Sequence, residues 1–136
     1  MQRTDRWETR LHEAIDNHTE APFELGVSDC FIMVMDALLA VTGEDPYSEY
    51  RGKYTTPQGY YKHLKKRGFN DVTEAIDAVL PPVAVALAQR GDIGYLDTDD
   101  GPCLGVFVGG GCIFKLEQGA TLLPVTSVSG AWHVGD

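Results

Sequence analysis

Covalent chemistry, if the chain performs any, has one well-placed candidate, the thiol of Cys30. It follows Ser28 and Asp29 in the stretch LGVSDCFIMVMDALLAV, residues 25–41. Gly26 offers a turn. Ser28 or Asp29 can accept a hydrogen bond from the first free backbone N–H groups of a helix, and the residues that follow are almost wholly apolar. Cys30 then falls in the first helical turn. Unpaired N–H groups and the helix dipole favour a negative charge there, so the thiolate gains over the thiol and Cys30 becomes a candidate nucleophile. Asp29 beside it caps the helix, orients the cysteine region, or does both. Cysteine is also among the residue types most often buried, so the spacing equally accommodates a structural thiol.

A cysteine nucleophile needs a base within hydrogen-bond reach and usually a third group that orients the base. The four histidines, His12, His18, His63 and His133, are scattered along the chain. His12 and His18 read as lying on the exposed face of a first helix or at its edge, and His133 as an exposed or edge-strand residue. The three cysteines, Cys30, Cys103 and Cys112, are odd in number and lack CxxC spacing, which argues against a disulfide framework or a zinc site. Cys112 reads as a core residue. Asp97, Asp99 and Asp100 lack the spacing and terminal glutamate of a calcium loop. Gly109, Gly110 and Gly111 are followed by no helix and no lysine of a phosphate loop, so they form a turn. No metal and no cofactor are expected.

The elements that must position Cys30 follow from periodicity. Thr4 or Asp5 would cap a first helix of about 14 residues, with Trp7, Leu11, Ala14, Ile15 and His18 in one stripe. In the cysteine helix Phe31, Ile32, Val34, Met35, Leu38, Leu39 and Val41 cover most of the circumference, so burial on several sides is expected, with Gly43 as the stop. Tyr47, Tyr50 and Tyr54 read as amphipathic surface and not as continuous core. Thr56-Pro57 opens a third helix with Tyr60, Tyr61 and Leu64 inside and Lys62, Lys65, Lys66 and Arg67 in solvent. Asp71 or Thr73 caps a short fourth helix that Pro81-Pro82 ends. Residues 83–92 fit a helical turn or an extended stretch. The period then changes, and residues 92–96, 104–108, 112–116, 121–125 and 131–134 read as strands between glycine- and aspartate-rich turns. The expected fold class is α+β: one domain over residues 1–136, with N-terminal helices and a central buried cysteine-bearing helix packed on a C-terminal antiparallel sheet.

Lys+Arg 11 against Asp+Glu 20 gives a net charge of −9. That balance disfavours nucleic acid and anionic membranes as partners, since both call for a basic face. The opening MQRTDRWETRLHEAID is charged where a secretory signal is apolar, and no apolar run is long enough to span a bilayer. Residence in a cytoplasm, without membrane insertion, is the expectation.

The order of motifs carries a resemblance. Gly26, Asp29 and Cys30 at a helix start, Gly91-Asp92-Ile93 opening a strand, and a glycine-containing strand over Leu104–Gly109 are similar to the NlpC-type papain-like cell-wall peptidases. PFELGVSDCFIMVMDALLAVTGEDP, RGKY, the Gly-Asp strand and the terminal Ala-Trp-x-Val resemble a narrower group, small NlpC-like proteins encoded among bacteriophage and prophage tail genes. The resemblance covers nearly the whole chain. It implies an NlpC/papain-like fold and partners among other phage tail proteins, with peptidoglycan as a further candidate. It also implies a location first in the host cytoplasm and then in the tail of the virion. In that family the base is a histidine just before the Val-Gly-Ile of the second strand. Here the register Cys103-Leu104-Gly105-Val106 puts Cys103 in that place, and Ile113, Phe114 and Lys115 surround the third position. A thiol accepts hydrogen bonds poorly and titrates near 8.5, so it does not replace the imidazole. The implied function is a catalytically degenerate, structural or docking tail protein. The alternative is an active peptidase or amidase that cleaves peptidoglycan stem peptides during phage entry, with Cys30 as nucleophile. If Cys103 holds the base position it also faces Cys30, and the two thiols would then form a disulfide or share a metal.

Overall fold

In the computed structural model, which describes residues 1–135, the first helix, α1, spans Trp7–Glu20. Leu11, Ile15 and His18 are buried on its inner side. Neither Thr4 nor Asp5 caps it. Arg6 holds the N-cap position at φ 60°, while Thr4 bonds through its N–H (2.9 Å) and Oγ1 (3.2 Å) to the carbonyl of Val41. A free carbonyl at the end of the next helix outcompetes the local cap.

That next helix, α2, spans Cys30–Thr42 and buries Phe31, Ile32, Met33, Val34, Met35, Leu38 and Val41. Each large side chain withdrawn from water in this way stabilises by roughly 1.5–3 kcal/mol. Leu39 departs from the expectation. It is 46% exposed and lines the outer groove between α1 and α2 with Ala14 and Asn17. Gly43 stops the helix at φ 79°, its N–H bonded to Leu39 O at 2.9 Å.

The tyrosines after α2 overturn their assignment to the surface. Tyr47, Tyr50 and Tyr54 are 2%, 1% and 3% exposed. Tyr50 stacks on Phe31 with centroids 5.3 Å apart. Each hydroxyl finds an acceptor: Tyr47 donates to Ala75 O, Tyr50 to His63 O at 3.1 Å, and Tyr54 to Asp29 Oδ2 at 2.6 Å. A ring whose polar tip is satisfied can be buried without an orphan hydroxyl, and amphipathic spacing does not reveal that.

Helix α3 spans Pro57–Lys66, with Thr56 Oγ1 accepting from the Gly59 N–H at 3.0 Å. Helix α4 spans Val72–Asp77, capped by Asp71. The strands are β1 Pro82–Val83, β2 Ile93–Thr98, β3 Gly101–Val108, β4 Gly111–Leu116, β5 Gly119–Leu123 and β6 Gly130–Trp132. They form one antiparallel sheet in the order β1-β6-β2-β3-β4-β5. Residues 83–92 resolve into the end of β1 and a tight turn over Val85–Leu87. The strand expected over 121–125 starts and ends two residues earlier, because Pro124 has no N–H for the ladder.

Across the sheet Ile93 faces Val106, Val106 faces Ile113, and Ile93 also faces Trp132. These side chains join the core built on α2. Phe107, Cys112 and Phe114 belong to the opposite face, where Val128 and Ala131 complete a second, smaller cluster. The architecture is α+β, four helices with a six-stranded antiparallel sheet, as composition and periodicity implied.

Gly91-Asp92 has a structural role. Asp92 is 0% exposed. Its Oδ1 accepts from Arg3 Nη2 (3.0 Å), His133 Nδ1 (3.0 Å) and the Val134 N–H (2.9 Å), and Oδ2 accepts from the Gln89 N–H (2.8 Å). His133 therefore follows β6 as an anchor of the residues after that strand, bound to Asp92.

Candidate functional site: a two-thiol groove at the head of α2

The loop before α2 is built around Asp29. Its Oδ1 accepts from the Ile32 N–H at 2.8 Å, its Oδ2 from the Gly26 N–H at 2.8 Å, and the Tyr54 hydroxyl adds a third bond. Gly26 has φ 82°, and a Cβ there would lie 2.4 Å from Tyr54 O, so this turn accepts only glycine. Asp29 thus both caps the helix and fixes the loop. Burial and the Asp29 carboxylate push the Tyr54 hydroxyl far above the ordinary tyrosine range, so it remains a donor.

Ser28 does not cap. Its Oγ meets His18 Nδ1 at 2.8 Å, and His18 Nε2 meets Asp36 Oδ2 at 2.5 Å. Asp36 Oδ1 pairs with Arg51 at 2.6 Å. His18 was expected at the exposed face or its edge, but it is 5% exposed. The helical spacing with Leu11 and Ile15 wins, because both ring nitrogens are satisfied inside. The Ser28–His18–Asp36 chain has the residue types of a hydrolase triad, yet Ser28 is 3% exposed and lies outside the groove, so it fastens the cysteine loop to α1 and α2.

Cys30 and Cys103 line one open groove of about 300 Å³, with Phe23, Leu25, Tyr60 and Tyr61 among its walls. Both cysteines are partly exposed, whereas Cys112 is buried. The two thiols are close enough for each to shift the other's titration. The hydrogen bond to Cys103, burial, and the charges of Cys103 and Asp29 push the Cys30 thiol well above its ordinary value. The bond from Cys30 lowers Cys103 in spite of burial and Asp29. The helix terminus, which favours a thiolate on Cys30, is thus opposed by the neighbouring thiol and carboxylate, since two adjacent thiolates beside a carboxylate repel.

Among the described residues no histidine lines the groove. His63 Nε2 bonds Lys53 O at 3.0 Å, and His12 pairs with Asp16 on the outer side of α1. Lys115 forms part of the wall, but its ammonium donates to the carbonyls of His18 and Ala21 and is 1% exposed. Tyr60 is the residue that sequence reasoning missed. Its hydroxyl is buried without a hydrogen-bond partner, and burial and then Cys30 raise its pKa. Its helical spacing marked an inward face and nothing more. No cluster of three or more His, Cys, Asp or Glu that could hold a metal occurs among the described residues. The groove offers two thiols, a hydroxyl donor and, on its wall, the carboxylates of Asp100 and Glu117, but among the described residues no histidine base.

Fold and site together define an α+β protein with a dithiol groove at the head of its central helix. The chain belongs to the family described as Domain of unknown function (DUF6950), whose family model matches residues 2–134. No curated protein and no solved structure matches the chain significantly.

Proposed function

We propose that this chain is a bacteriophage tail-associated protein in an NlpC-like, papain-like fold that has lost its catalytic base and serves as a structural or docking module. The observation that carries the reading is that Cys103 and Cys30 line one groove in which, among the described residues, no histidine takes part. Nucleophile, base and orienter act as a unit, so a missing base costs several orders of magnitude in rate. The groove's aromatic walls suit a protein partner, since such side chains are enriched at interfaces.

Incubation with cross-linked muropeptides tests the chemistry. No turnover above that of Cys30→Ala is expected; turnover that Cys30→Ala abolishes would establish the alternative reading, a peptidase acting on stem peptides. That alternative draws on the opening of Cys30 onto the groove. Antibody labelling tests the location. Label is expected in the host cytoplasm during assembly and then on tails, and its absence from both tails and assembly intermediates defeats the proposal.

A further inference from the structure

We propose that Cys30 and Cys103 form a reversible disulfide, which makes the groove a thiol–disulfide exchange site for small disulfides. The two thiols come from different elements, α2 and β3, line the same open groove and perturb each other's titration. Cys112 is not a competitor. It pairs across the ladder with Phe107, four residues further along β3 than Cys103. At the rise of a strand that is roughly 13 Å, against about 4–7 Å between the Cα atoms of a disulfide.

The exchange balances as two displacements. The Cys103 thiolate attacks one sulfur of RS–SR, that S–S bond breaks, and RS⁻ leaves to take up a proton as RSH. The Cys30 thiol then gives its proton to solvent, and its sulfur attacks the Cys103 sulfur of the mixed disulfide. The second RS⁻ departs and is protonated to RSH. Two electrons pass from the cysteine pair to RS–SR, and the two protons lost by the pair end on two RSH molecules. The first attack suits Cys103, whose thiolate the Cys30 S–H stabilises. The bond joins α2 to the sheet and removes both thiols from the groove. A reducing cytoplasm keeps it open and an oxidising exterior closes it. This holds whether the groove docks a partner or hydrolyses a peptide, so it can fail without the proposed function failing.

Full-length protein equilibrated in mixtures of glutathione and glutathione disulfide, quenched with a maleimide under denaturing conditions and weighed intact, tests it. Three labels are expected at the reducing end and one, on Cys112, at the oxidising end. An unreduced digest should link the Cys30 and Cys103 peptides, and dithiothreitol should restore three labels. Cys30→Ser should trap Cys103 as a glutathione adduct, Cys103→Ser should abolish the internal bond, and Cys112→Ser should leave the titration unchanged. Three labels at every ratio, or a cross-link that includes Cys112, overturns the proposal.

Discussion

Two thiols within reach of each other do not ionise independently, and that coupling decides which sulfur in the groove reacts. Removing the first proton leaves a thiolate that the remaining S–H stabilises; removing the second sets two negative sulfurs beside Asp29. Cys103 is lowered, and Cys30 is raised. Iodoacetamide added to the reduced protein near pH 7 should therefore modify Cys103 first, with Cys30 following only as pH rises. Cys112, which burial pushes up to about 12, should stay inert until the protein unfolds. Peptide mapping after brief alkylation reads the order directly. Cys30→Ala removes the stabilising S–H, so the Cys103 reaction profile should move to higher pH. Faster labelling of Cys30 than of Cys103 at neutral pH would mean that the helix terminus outweighs the thiol pair. Sequence spacing placed both cysteines in the right parts of the chain. It could not weigh the helix terminus against a neighbouring thiol, because the neighbour comes from a strand 73 positions later.

The start of α2 is the element on which the groove depends, and its stability rests on one carboxylate. Asp29 accepts from two backbone N–H groups and from the Tyr54 hydroxyl, all out of water. Asp29→Ala loses a cap, roughly 0.5–2 kcal/mol, and strands a buried hydroxyl, roughly 1–3 kcal/mol. Chemical denaturation should show a loss of about 2–4 kcal/mol. Tyr54→Phe removes one bond to the carboxylate and should cost about 1.5–3 kcal/mol while leaving the cap intact. A loss below about 0.5 kcal/mol for both variants would show that the loop is held from elsewhere. Helices opened by a local cap and an apolar run, such as α2, α3 and α4, were legible in the sequence because their determinants lie within a few residues. The N-terminus of α1, the inward turn of Tyr47, Tyr50 and Tyr54, and the short β1 were not. Thr4 is claimed by Val41, the tyrosines by Ala75, His63 and Asp29, and β1 exists only through its pairing with β6.

Across the whole molecule the helical half is tied together through Asp36, where α1, α2 and the loop after α2 meet. Burial alone would raise this carboxyl, but its hydrogen bonds to His18 and Arg51 and the Arg51 charge outweigh burial and hold it below the usual aspartate range. Arg51 is shared with Asp45 at 2.7 Å, so the ion pair continues into the next turn. A carboxyl lowered on folding stabilises the native state above its unfolded value, about 3.9, and that contribution disappears as pH falls through the lower folded value. Asp36→Asn should therefore be less stable than wild type at pH 7, and the gap should close as both are acidified from about pH 4 downward. Urea midpoints of the two proteins at pH 7, 5 and 3 measure this. A gap of equal size at all three would mean that Asp36 acts through packing and neutral hydrogen bonds, with its charge contributing nothing. Closure of the gap would show that the link between α1 and the cysteine loop is electrostatic. Acid would then loosen the seat of His18 and Ser28 before it reaches the core around Phe31 and Leu38, whose buried tyrosines stay protonated in acid.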